Sequence, residues 1–310
     1  GRITTGAFVA YTTYIIMLTF PVIALGYVVN LVQRGTASVR RIQDILTAEP
    51  SISDATLPVA QPVPEEIRGE IEFHNLTFAY ENCTAPVLHN INLRIPAGSS
   101  LAIVGPTGSG KTTLVSLIPR MFEVERGMLL LDGRSVMDYP LASLRGAVGF
   151  VPQETFLFSE SIHENVAFGA PDVSEEAVLQ ATRAARICDE ILEFPKGFGT
   201  LVGERGITLS GGQKQRTAIA RAIVRDPRIL ILDDALSSVD TYTEERILHE
   251  LAEVMRGRTT IFISHRVSTV RHADQIAVLV NGRIVELGTH DELVARNGYY
   301  TQLHEKQMLE

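Results

Sequence analysis

Cysteine is nearly absent: Cys83 and Cys188 are the only two in 310 residues, far apart and at no metal-ligand spacing. A reduced, cytosolic setting with two free thiols is the expectation that follows. Positive charge is also short. Lys and Arg total 28 against 36 Asp and Glu, a net charge of −8 with the two signs interspersed. Such a chain offers no basic groove, and nucleic acid is excluded as a partner. Internal repeats and low-complexity tracts do not occur. The last absence is local: from Ile3 to Gln33 there is no charged residue at all.

That uncharged run exceeds the roughly 20 apolar residues that cross a bilayer. Pro21 and Gly26 inside it are tolerable in a membrane helix packed against others. It is too long for a signal peptide, and no small-residue cleavage site follows. Arg34, Arg40 and Arg41 come directly after, which places the C-terminal side in the cytosol. Beginning on Gly1-Arg2, the segment reads as the tail of a longer membrane protein. Residues 1–50 are therefore expected to close a transmembrane domain, with a helix over about 3–33. A cytosolic extension over Ser38–Thr47 carries Val39, Ile42, Ile45 and Leu46 on one side. Glu49-Pro50 ends it. Residues 51–69, with Pro58, Pro62 and Pro64, read as a linker, and 70–310 as a soluble domain.

In that domain the residues read as an alternation of strands and helices. Alternating segments at 71–74, 76–80 and 87–95 predict half-buried strands. Met128–Leu131 with Asp132-Gly133 predicts a hairpin, and Ala147–Val151 a buried strand ending at Pro152-Gln153. From Ser174 to Phe194 the pattern is helical. Ile229–Leu232 and Thr259–Ile263 are apolar strands closing on Asp233-Asp234 and Ser264-His265. A hairpin over Gln275–Leu287, turning at Asn281-Gly282, and a helix from Thr289 complete the chain.

The chemistry centres on Gly105-Pro106-Thr107-Gly108-Ser109-Gly110-Lys111-Thr112, which fits G-x-x-x-x-G-K-[ST]. An apolar strand (Ser100–Val104) precedes it and a helix can start at Thr113, the context that gives such a match meaning. Glycines let the backbone turn successive N–H groups toward phosphate oxygens, and the helix dipole adds to that field. Lys111 reaches the β- and γ-phosphates, and the Thr112 hydroxyl ligates Mg²⁺. The chain is thus expected to bind a nucleoside triphosphate. Leu209-Ser210-Gly211-Gly212-Gln213 forms a second phosphate-ready helix start, with Ser210 and Gln213 at capping-box spacing. The P-loop, Gln153, Asp233 and His265 all follow strand ends, where ligands bind in open parallel sheets.

This series resembles the nucleotide-binding domain of ATP-binding cassette (ABC) proteins, over residues 70–300. Thr200-Leu201-Val202-Gly203-Glu204 matches the T-x-V-G-E element of the family's exporters, which lies against the coupling helices of the membrane domain. The resemblance is closest to multidrug-type half-transporters, with drug or lipid as the favoured substrate. It implies an α/β fold: a P-loop NTPase domain with a mixed sheet core, an antiparallel β subdomain and a helical subdomain, preceded by a transmembrane α-helix. It implies an ATPase using ATP and Mg²⁺, in an integral membrane protein of the plasma or inner membrane with a cytoplasmic nucleotide-binding domain. Gly105 to Thr113 bind the triphosphate, and Tyr80 stacks on adenine. Thr112, Gln153 and Asp233 hold Mg²⁺; Gln153 and His265 sense the γ-phosphate. Ser210, Gly211, Gly212 and Gln213 close over ATP on the P-loop of a second half-transporter, and Asp240 reaches toward that partner. The partners are therefore a second half-transporter, the chain's own transmembrane domain and membrane lipid. The uncharged run, T-x-V-G-E and the acidic balance argue against the family's non-transport ATPases.

One position departs from the family pattern. Glutamate usually follows the Mg²⁺-binding aspartate and polarises the attacking water, whereas here it is Asp234. Aspartate keeps the charge but is shorter by about 1.5 Å, and a misplacement of roughly 1 Å costs on the order of 10²-fold in rate. Good binding, slow turnover and a complete LSGGQ point to the degenerate-site half of a heterodimeric exporter. A homodimer in which Asp234 serves as the catalytic carboxylate, or a regulatory half with little hydrolysis, are the alternatives.

Overall fold

One helix occupies most of the N-terminal part of the chain in the computed structural model, which describes residues 3–54, 66–81, 83, 85–170, 172–203, 209–237 and 241–308. This helix, α1 (Thr5–Leu46), runs 42 residues without interruption through Pro21, and the expected cytosolic extension is continuous with it. Thr4 caps its start, and no side chain in it is buried. The hydroxyls of Thr12, Thr13, Thr19, Thr36 and Ser38 each donate to the carbonyl four residues earlier. That back-bonding satisfies polar groups within the helix itself, as an apolar solvent requires. By length and composition α1 can cross a membrane.

The chain divides into two compact units, Gly1–Ser51 and Ile52–Glu310. The second begins with β1 (Ile71–Phe78), β2 (Leu88–Ile95), β3 (Ser100–Val104), α2 (Lys111–Ser116), β4 (Leu129–Leu131) and β5 (Arg134–Ser135). It continues through α3 (Leu141–Gly146), β6 (Val148–Val151), α4 (Ile162–Ala167), α5 (Glu175–Ala184), α6 (Cys188–Glu193) and α7 (Gly211–Ile223). Then come β7 (Ile229–Asp233), α8 (Thr241–Met255), β8 (Thr259–Ile263) and α9 (Val267–Val270). The chain finishes with β9 (Gln275–Val280), β10 (Arg283–Gly288), α10 (His290–Ala295) and α11 (Tyr299–Met308).

Two sheets organise this unit. A small antiparallel sheet has the order β2-β1-β4-β5, and a mixed sheet has the order β10-β9-β3-β8-β7-β6. In the latter β9, β3, β8, β7 and β6 are parallel and β10 pairs antiparallel with β9. Period-two alternation sends each strand's residues to two cores. Ala102, Val104, Leu230, Leu232 and Phe262 pack with Ile162 of α4, Val178 of α5 and Ile219 of α7. Leu101, Ile103, Ile229, Ile231 and Ile261 pack on the other face with the small sheet and with Leu114 of α2.

Two readings change in detail. The strands expected at 71–74 and 76–80 are one strand, β1, whose register shifts between Phe73 and Leu76 around Asn75 at φ 49°. The helical stretch 174–194 is broken into α5 and α6 at Arg186, φ 56°. The turn closes because Ala185 N donates to Ala181 O and Ile187 N to Thr182 O, a C-terminal seal made without the glycine that usually marks one.

The start of this unit is fastened to the small sheet. The Asp132 carboxylate accepts from the backbone N–H of Arg68, Gly69 and Glu70, and Asp54 accepts from Leu141 N at the start of α3. Pro58, Pro62 and Pro64 of the expected linker lie outside the described residues.

Candidate nucleotide site

Four loops emerge side by side at one edge of the mixed sheet, because β3, β8, β7 and β6 are adjacent and parallel. After β3 the chain curls through Gly105–Gly110. A Cβ on Gly105 would stand 2.0 Å from the Leu279 carbonyl oxygen, so only glycine fits against β9. Gly110, at φ 99°, precedes α2 with no side-chain cap, which leaves the first amides of that helix available to an anion. Lys111 is buried, and its Nζ donates to the carbonyls of Gly105 and Pro106, both at 2.9 Å. Ser109 Oγ is buried and has no hydrogen-bond partner among the described residues. A cavity of ≈ 310 Å³ opens here, bounded by Thr107, Gly108, Gly110, Lys111, Thr112, Thr113, Gln153, Asp233 and His265.

Asp233 ends β7 and is 1% exposed. Burial pushes its carboxyl above the usual carboxylate range; a hydrogen bond from Thr112 works the other way, and the Asp234 charge adds to the rise. Its Oδ2 has no partner among the described residues. Burial also raises the Asp234 carboxyl, against the charges of His265 and Lys111. The Lys111 ammonium is pushed down by burial, against the pull of Asp233 and Asp234. A buried carboxylate with an unused oxygen, a half-buried one next to it and an anion-ready loop beside them are a donor set that would suit a hard divalent cation. Asp234 has φ 48°, in the left-handed region that Asp and Asn tolerate best after glycine. Gln153 Nε2 donates to its Oδ2 at 3.5 Å. Asp234 lines an adjoining cavity of ≈ 260 Å³, to which His265 is common.

Tyr80 donates or accepts at Thr113 Oγ1, 2.8 Å away, and stands edge-on to Phe78 and Phe122 with ring centroids 5.1 and 5.0 Å apart. The LSGGQ residues are elsewhere. Ser210, Gly211, Gly212 and Gln213 line neither cavity. Ser210 caps α7, with Gln213 N donating to its Oγ at 3.2 Å and Ser210 N donating to Gln213 Oε1 at 2.9 Å. Glu204, the last residue of T-x-V-G-E, and Asp240 lie outside the described residues.

Two polar clusters went unread in the sequence. Arg216 of α7 forks onto Glu190 of α6 at 2.6 and 3.0 Å. Arg221 donates to the carbonyls of Asn165 and Phe156 and to Asn165 Oδ1 at 2.7, 2.8 and 2.9 Å. It also lies over the rings of Phe158 and Phe168. Burial lowers its guanidinium to about 10. The first ties α6 to α7 and the second ties the segment after Gln153 to the same helix, and no local motif marks either.

Residues 88–237 match the ABC transporter family. The chain is 46% identical over 310 residues to an ATP-dependent lipid A-core flippase of Syntrophus aciditrophicus, covering 100% of this chain and 51% of the relative. It is 42% identical over 308 residues to heavy metal tolerance factor 1 of Caenorhabditis elegans, covering 99% of this chain and 38% of the relative. Among solved structures, a bacterial Atm1-family ABC exporter with ATP bound matches with TM-score 0.83 at 38% identity, over 99% of this chain and 53% of that one. The chain thus spans about half the length of these relatives, or less.

Proposed function

We propose, from the match of residues 88–237 to the ABC transporter family and the nucleotide cavity on the same unit, that this chain binds ATP and powers an exporter by pairing with a second such domain. ATP binding would clamp the two domains and turn the membrane helices outward, and hydrolysis would reset them. The carrying observation is the exposed Ser210 start of α7, complete in its motif yet outside the cavity that Lys111 and Asp233 share. A helix start of that kind suits a second, partner-borne triphosphate.

Within the chain's own cavity Lys111 and the loop amides would hold the phosphates. Thr112, Asp233 and Gln153 would hold Mg²⁺, which when bound neutralises β- and γ-phosphate charge. Asp234 would orient the attacking water and His265 would contact the γ-phosphate. The short Asp234 supports slow turnover at this site and a heterodimer in which the partner supplies the faster one. The relatives' names attach one to lipid A-core and another to heavy-metal tolerance; a lipid or drug is our reading for this chain, in the membrane.

Asp234→Glu should raise hydrolysis at this site by roughly 10- to 100-fold, read as phosphate release with the partner site inactivated. An unchanged rate would remove the degenerate-site reading. A homodimer is the other arrangement. Native mass of the full-length assembly, purified through a tag on this chain, separates the two.

A further inference from the structure

Behind Asp234 the chain builds a hydrogen-bonded chain that the nucleotide motifs do not account for. Ser237 Oγ donates to the Asp234 carbonyl at 2.9 Å, and Ser237 N donates to the same oxygen at 3.2 Å. Gln215 Nε2 in turn donates to Ser237 Oγ at 3.0 Å. On the other side Asp234 N donates to the Ile263 carbonyl of β8 at 3.1 Å. Both peptide groups of Asp234 are therefore fixed while its backbone sits in the left-handed region, φ 48°. Gln215 is 4% exposed and belongs to α7, the helix that Ser210 opens. Ser237 is exposed.

We propose that Gln215 and Ser237 are positioning residues for hydrolysis: they hold the Asp234 peptide so that its short carboxylate meets Gln153 and the attacking water. Reach is what limits an aspartate here. A side chain with one methylene has little torsional freedom to correct a misplaced Cα, so the backbone must be aimed. The left-handed conformation needs an outside restraint to persist, and Ser237 supplies it from the C-terminal side. The buried amide of Gln215 fixes the Ser237 hydroxyl, leaving its proton for the Asp234 carbonyl. The anchor of this restraint is α7 itself. The helix whose first residues would meet a partner's triphosphate thus also holds this chain's own water-orienting carboxylate. This inference rests on Asp234 being that carboxylate.

The test uses the full-length protein in its own assembly, in lipid. Vanadate trapping of a photoreactive ATP analogue is read on this chain's own band, with labelling on ice as the measure of binding alone. Ser237→Ala and Gln215→Met should each slow trapping on the order of tenfold, the loss of one hydrogen bond at the transition state, with binding unchanged. The double variant should be no slower than either single one, and Ser237→Thr should trap at the parental rate. Parental trapping by Ser237→Ala, with Asp234→Asn inactive, would overturn this inference alone. So would multiplied losses in the double variant, or a loss confined to binding. Full trapping by Asp234→Asn would overturn the reading of Asp234, and this inference with it.

Discussion

Lys111 shows how a single residue carries a charge into an apolar setting. Burial disfavours its ammonium, and two loop carbonyls at 2.9 Å satisfy it in the meantime. A triphosphate offers the same donors anionic oxygens, whose hydrogen bonds to charged groups are worth about 1.5–3 kcal/mol. Lys111→Ala should therefore weaken ATP binding roughly 10- to 100-fold by calorimetry, with the circular-dichroism melt little changed. Equal affinity in the variant would take Lys111 out of the phosphate site. Lys111, Asp233 and Gly105 were legible in the sequence because their chemistry is local: a tight loop and a strand end each need particular letters. Arg221 was not. Its acceptors are carbonyls of residues more than fifty positions earlier, and any residue type offers a carbonyl. Its worth lies in tying Phe156, Asn165 and the rings of Phe158 and Phe168 to α7. Removing it as Arg221→Met takes the guanidinium donors from the Asn165 and Phe156 carbonyls and leaves Asn165 Oδ1 with the Phe158 N–H alone, a loss of about 2–4 kcal/mol in denaturant unfolding. A change below about 0.5 kcal/mol would mean that water replaces the guanidinium there.

Among elements, α6 and α7 are joined by the fork of Arg216 on Glu190. Burial works to raise the Glu190 carboxyl. Hydrogen bonds from Arg216 and Gln213, together with the Arg216 charge, outweigh it and hold the group below its ordinary value. A carboxyl depressed in the folded state stabilises above its unfolded value, about 4.3 for glutamate, and that contribution is lost as pH falls through the folded value. Glu190→Gln should thus be less stable than the parent at neutral pH, with the gap closing in acid below about pH 4. A gap that stays constant with pH would show that the fork contributes through packing alone. The sequence foretold α7 and its capping box because the cap lies within four residues. The α5–α6 break was hidden because Arg186 takes the left-handed turn where glycine would have announced it. The split of the strands into two sheets was likewise unreadable from letters alone. Alternation assigns each residue a face, while sheet membership depends on pairing across as many as 174 positions, as between Leu101 and Gln275.

Across the whole molecule the site is a product of strand order. The P-loop is separated along the chain from Asp233 and His265 by more than a hundred residues, and only the adjacency of β3, β8 and β7 joins them. Strand-end placement made that meeting foreseeable. The place of Ser210–Gln213 outside the cavity follows from the same topology. If two copies or two different halves must meet to use that helix start, Ser210→Ala should leave nucleotide binding by this chain intact while abolishing trapping at the partner's site. Loss of binding by this chain instead would place α7 at its own cavity.

The fastening of residues 68–70 by Asp132, and of α3 by Asp54, gives the start of the second unit two points of attachment to itself. A rope tied to the same post at two points gains no length when material is added between the knots. By that logic extra residues inserted between Asp54 and Glu66 would leave both knots in place on the unit that carries them. Both knots are made by aspartate side chains, so the entry to this unit is held by two carboxylates that single substitutions would untie one at a time.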